Sequence, residues 1–170
     1  FPAGTYLTGS LYIKSNITIN LGSGAILAAS GNGELYPVIT QDEVPGFTRG
    51  TRRGILYSIG EENITIKGEG IINGGGKNWW NSGVDDGERP RTVQFIRCSR
   101  IRIEGISIIN SPCWTINPIC CTDVVVSGIT IRNPYESPNT DGINPESCKN
   151  VRISDCCVDV GDDCITIKSG

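Results

Sequence analysis

The stretches IRIEGISIIN (residues 101–110) and VVVSGITIRN (residues 124–133) superimpose residue on residue. ITIKGEGIING (residues 64–74) and VRISDCCVDV (residues 151–160) follow the same plan. Each holds two short apolar–polar alternations separated by a small or acidic residue: Gly68, Gly105, Gly128 or Asp155. Alternation with period two marks a strand with one buried face. With the earlier NITI (residues 16–19), the aligned strand starts are Ile17, Ile64, Ile101, Val124 and Val151. A third short strand follows in the later copies, in WTINP (114–118), DGINP (141–145) and DCITIK (163–168). Three short strands of Ile, Val and Thr per coil of roughly 20–30 residues fit a solenoid, in which stacked neighbours bury the apolar face that no single coil can bury alone. A meander or sandwich also uses short strands at similar spacing, but neither calls for a phase-locked repeat. The expectation is an all-β chain, one right-handed parallel β-helix domain over residues 1–170.

Composition narrows the function classes. At 38% hydrophobic and 19% charged residues, the chain reads as folded rather than disordered. Its net charge is −3 and its basic residues are scattered, which does not suit a nucleic-acid partner. No run of about 18 apolar residues predicts a membrane span. The absence of His removes the commonest general base and metal ligand, and no metal-site spacing is seen. The chain has no Met and opens inside the strand-like FPAGTYLTGS, so it reads as an interior piece, truncated at both ends and lacking the first coil and the C-terminal coils. Cys98, Cys121 and Cys148 each stand three residues before an aligned strand start, which predicts a ladder about 4.8 Å per rung. Cys156 aligns with Ile106 and Ile129 in a core slot. Free thiols and one or two disulfides are both compatible with eight cysteines. Asn73, Asn110 and Asn133 are expected to stack as an amide ladder. Asn16 and Asn63 open N-I-T sequons.

The third strands place the chemistry. If Ile116, Ile143 and Ile165 are equivalent, so are Trp114, Asp141 and Asp163, each two residues earlier. Asp141 and Asp163 then stack on neighbouring coils about 5 Å apart, with Asp162 beside them. Like charges so close raise at least one pKa, an arrangement that either binds a cation or divides the group into acid and base. Aspartates also suit turns, which is the plain alternative.

SPNTDGINPESCKNVRISDCCVDVGDDCITIKSG (137–170), with NGGGKNWWN (73–81), RPRTVQFIRC (89–98) and INSPCWTINP (109–118), resembles the polygalacturonases and their relatives in family 28 of the glycoside hydrolases. The resemblance extends from FPAGTYLTGSLYIKSNITI onward. It implies a right-handed parallel β-helix that hydrolyses α-1,4-galacturonosyl bonds of pectin with inversion, without a metal or other cofactor. It implies that Asp162 is the general acid, and that Asp141 and Asp163 hold and deprotonate the attacking water. An inverting acid is expected roughly 6.5–9.5 Å from the base. On the substrate side, Asn139 orients Asp141, meets the sugar or simply forms a turn. Lys168 meets a galacturonate carboxylate or is a solvated surface lysine. Trp114 stacks on a sugar or packs in the core. Asn117 stands where relatives often have His in W-T-I-H-P. The family's downstream G-H-G and R-I-K motifs are not in this sequence, so these 170 residues alone are expected to have little or no activity. The partner implied is a pectic polysaccharide, with no nucleic acid or membrane. The full-length protein is expected to be monomeric and extracellular or periplasmic. A non-catalytic β-helix for carbohydrate binding or adhesion is the competing class, and a calcium-dependent pectate lyase is a more distant one.

Overall fold

A computed structural model describes residues 1–44, 51–80 and 88–169, and in them the chain winds as a right-handed parallel β-helix. One sheet holds Gly4–Thr8, Ala25–Ala29, Ile71–Asn73, Ser107–Ile109, Thr130–Arg132 and Cys157–Asp159. A second holds Thr18–Leu21, Glu62–Gly68, Ser99–Glu104, Thr122–Ser127 and Lys149–Ser154. The third holds Leu11–Tyr12, Leu56–Ile59, Val93–Ile96 and Ile116–Ile119, continued by single-residue bridges from Ile116 to Ile143 and from Ile143 to Ile165. Every strand in these sheets pairs in parallel with its equivalents on adjoining coils, and the register is the one the repeat predicts. Ile64 faces Ile101, Ile101 faces Val124, and Val124 faces Val151.

The sheets bend at stacked corners in the left-handed region. Asn16, Asn63, Arg100, Asp123 and Asn150 have φ between 53° and 64° and enter the second sheet. Gly68, Gly105, Gly128 and Asp155 leave it, also with positive φ. Gly, Asn and Asp tolerate this conformation at least cost, which is why the turn residues recur in phase. The Ile and Val rows point inward and form one continuous core, including Leu56, Ile66, Val93, Ile103, Ile116, Val126 and Ile143. Outside the third sheet, Ile39 and Val44 cover the outward row Ile59, Ile96 and Ile119. The short helix Lys77–Trp80 sets Trp79 edge-on to Tyr36, with ring centres 5.7 Å apart. Ile165 and Ile167 are exposed and line, with Val151 and Ile153, a cavity of about 430 Å³. No helix among the described residues is long and apolar enough to cross a membrane.

The cysteine ladder forms as expected. Thr122 donates to the Cys98 carbonyl (3.0 Å), Lys149 donates to that of Cys121 (2.9 Å), and the Cys121 amide donates to the Cys148 sulfur (3.4 Å). All eight cysteines are free thiols, and Cys156 packs against the core. The asparagine ladder is displaced. Asn73 pairs in register with Ile109 rather than Asn110, because the Gly68–Gly70 corner has one residue more than the corners above it. Asn110 still reaches Asn73 (3.3 Å), while Asn133 turns inward to Thr115 and the Thr140 carbonyl. Side-chain hydrogen bonds also link the left-handed column, from the Asn63 amide to that of Asn16 (2.8 Å) and from the Asn150 amide to the Asp123 carboxylate (3.0 Å). The Asn63 sequon amide is therefore a rung of the stack.

Candidate active site

Main-chain bonds between rungs place the aspartates. Thr115 donates to the Asp141 carbonyl (2.8 Å) and Gly142 to that of Asp163 (2.9 Å), so Trp114, Asp141 and Asp163 occupy equivalent positions on successive coils. Two glycines allow the close approach. A side chain at Gly142 would begin 2.4 Å from the Cys164 carbonyl oxygen, and one at Gly161 would begin 2.5 Å from that of Ser137. The turn after Gly161 then swings Asp162 in beside Asp163. One oxygen of each of Asp141, Asp162 and Asp163 lies within 4.8 Å of the others. These nearest oxygens are closer than the roughly 6.5–9.5 Å expected between the carboxyl groups of an inverting acid and base. Adjacent residues on one rung and their neighbour on the next share a single compact edge.

Asp141 is only 4% exposed, whereas Asp162 and Asp163 are exposed. Burial pushes the Asp141 carboxyl above the usual carboxylate range, and the charge of Asp162 adds to the rise. A hydrogen bond from Asn144 and the charge of Lys168 oppose it. Asn144 Nδ2 donates to Asp141 Oδ2 at 2.8 Å, and Lys168 Nζ stands 3.8 Å from the same oxygen. Asp162 Oδ1 accepts from the Asp163 amide (2.9 Å), and Thr166 Oγ1 donates to Asp163 Oδ2 (3.1 Å). Three such oxygens are near enough to share a cation, but Lys168 already brings a positive charge to Asp141.

The substrate-side residues divide. Lys168 Nζ lies 4.3 Å from the centre of the Trp114 ring, with the Arg91 guanidinium carbon at 4.7 Å. Trp114 is 7% exposed, so it packs in the wall and carries Lys168 on its π-system. Asn139 is half-buried and left-handed (φ 53°), and its Oδ1 accepts from Arg89 Nη2 at 2.5 Å. Asn117 is buried and donates to the Asn144 carbonyl (2.9 Å). Sequence reasoning missed Asn144 and Arg89. The signal for Asn144 was the row Gln94, Asn117 and Asn144, in register on the side of the strand opposite Val93, Ile116 and Ile143.

The sequence profile of the Glycosyl hydrolases family 28 matches residues 38–170. A protein of Vitis vinifera described as a probable polygalacturonase is 37% identical over 179 residues, covering 99% of this chain and 36% of that protein. One from Arabidopsis thaliana with the same description is 41% identical over 109 residues, covering 64% of this chain and 23% of that protein. Among solved structures, a family 28 exopolygalacturonase of Yersinia enterocolitica superimposes with a TM-score of 0.88 at 25% identity, over 98% of this chain and 38% of that one. A hyperthermoactive exopolygalacturonase of Thermotoga maritima gives 0.84 at 30% identity, over 100% of this chain and 46% of that one. The chain thus spans 36% of the length of its grape relative, and the part it spans includes all three clustered aspartates. It belongs to family 28 of the glycosyl hydrolases.

Proposed function

We propose that the protein carrying this chain hydrolyses α-1,4-galacturonosyl linkages of pectin by a metal-independent carboxylate mechanism. The observation that carries this reading is the cluster itself: a buried carboxylate and two exposed ones within 4.8 Å, on successive rungs of a family 28 β-helix. Two oxygens at that separation can hold one water, since each hydrogen bond to it spans about 2.8 Å. Asp141 and Asp163 hold the water and take its proton as the oxygen attacks the anomeric carbon. The raised pKa of Asp141 makes its deprotonated carboxylate a stronger base than an ordinary one. Asp162 gives its proton to the glycosidic oxygen, which leaves as the hydroxyl of the departing chain. One water is consumed, one bond is cleaved, and proton exchange with solvent resets the carboxyls.

Lys168 meets a galacturonate carboxylate, Trp114 supports Lys168, and Asn139 contacts the sugar chain. Inversion is assigned from the family, because the compact edge is shorter than the usual inverting separation. The first-formed product therefore carries the opposite anomeric configuration, which NMR of fresh product reads directly. The substrate is an external polysaccharide, so an extracellular or periplasmic location and a monomeric protein are part of this reading. Release of reducing ends from polygalacturonate tests it. A protein that binds polygalacturonate without cleaving it is a binding module, and product absorbance from a new double bond, abolished by a chelator, would make it a lyase.

A further inference from the structure

Arg89 is 3% exposed, yet no carboxylate among the described residues pairs with it. Buried charges are ordinarily paired, because desolvation costs several kcal/mol per ion. Arg89 instead donates to neutral oxygens on two later segments: Nη1 to the carbonyls of Pro112 (3.2 Å) and Pro138 (2.9 Å), and Nη2 to Asn139 Oδ1 (2.5 Å). Its Nε has no hydrogen-bond partner among the described residues.

A guanidinium carries only donors, so the Asn139 amide must turn its oxygen toward Arg89 and keep its two N–H groups for elsewhere. Those N–H groups have no partner among the described residues, and Asn139 is half-exposed two residues before Asp141. A charge behind the amide oxygen also polarises the N–H bonds and strengthens them as donors.

We propose that Arg89 is a positioning residue that fixes the Pro138–Asn139 corner and turns Asn139 into a donor-only contact for an acceptor group, carboxylate or hydroxyl, of the bound uronic acid chain. This rests on the hydrolase reading above and adds a determinant of substrate affinity to it. The test is a double-mutant cycle in the protein carrying this chain, with KM and kcat for polygalacturonate hydrolysis as readouts. Arg89→Met raises KM by about tenfold to a hundredfold, the range of a lost charge-assisted hydrogen bond, and it adds nothing further in an Asn139→Ala background. If Arg89→Met does not fold, Arg89→Lys, which keeps the charge without the fork, takes its place in the cycle. Asn139→Asp keeps an acceptor for Arg89 and its stability but loses the N–H donors, so KM rises while the melting temperature holds. Equal KM increases in both backgrounds, or an unchanged KM for Asn139→Asp, overturn the positioning role while leaving the hydrolase reading intact. A wild-type protein that neither cleaves nor binds polygalacturonate overturns both.

Discussion

Gly142→Ala probes how the spacing of two rungs sets the chemistry. Its Cβ would stand 2.4 Å from the Cys164 carbonyl oxygen and 2.5 Å from Val158 Cγ1, where ordinary contact begins at 3.4 Å. The rung bearing Asp163 and Cys164 must therefore retreat by about 1 Å, the difference between 3.4 and 2.4 Å. That retreat carries the Gly142 to Asp163 bond from 2.9 Å to near 4 Å, outside hydrogen-bonding range. Overpacking of this kind costs about 1–3 kcal/mol of stability. Gly142 is not among the positive-φ residues, so the effect is steric rather than conformational. A misplacement of about 1 Å in a reacting constellation lowers the rate by roughly 100-fold. The assay is reducing-end release from polygalacturonate by the protein carrying this chain, with thermal unfolding followed in parallel. A variant with full kcat and an unchanged melting temperature would refute the claim that this glycine sets the distance between Asp141 and Asp163.

Asn144→Ala removes the donor that holds the Asp141 pKa down, so the acid limb of the kcat/KM profile moves to higher pH and the rate falls by about tenfold to a hundredfold; an unmoved limb contradicts this. Because burial raises the Asp141 pKa in the folded state, the native protein binds that proton more tightly than the unfolded chain. Stability then falls as pH rises from the unfolded value through the folded one. Asp141→Asn should accordingly raise the melting temperature at neutral pH while abolishing hydrolysis, and the gain should vanish at pH below about 3.9, the unfolded value; destabilisation at neutral pH would contradict it. Finally, buried Cys98, Cys113 and Cys121 should resist thiol reagents until unfolding while exposed Cys120, Cys157 and Cys164 react, and a native mass short of two hydrogens per cysteine pair would disprove free thiols.

The strand register was legible because each coil repeats both a period-two alternation and a left-handed corner. Either signal alone leaves the phase open, and together they fix Ile64, Ile101, Val124 and Val151 in one row. The stacking of Asp141 on Asp163 followed from counting back two residues from Ile143 and Ile165. Counting failed where a corner changed length: the extra residue between Gly68 and Gly70 moved Asn73 off Asn110. Residues whose partners lie far along the chain were out of reach. Arg89 meets Asn139 fifty residues away, a contact no local pattern encodes. The direction of Asp162 relative to the other aspartates was not legible for a related reason, since a one-residue step round a turn has no fixed direction until the loop at 134–137 confines Gly161.

Asp162→Asn in the protein carrying this chain puts the central claim to its most direct test. The side chain is exposed, so the fold should tolerate an amide of the same shape, while the proton needed by the leaving oxygen is lost. Reducing-end release from polygalacturonate should drop by a factor of about 100 to 10,000, the usual contribution of general acid catalysis, with polygalacturonate binding retained. Undiminished hydrolysis by this variant would contradict the account.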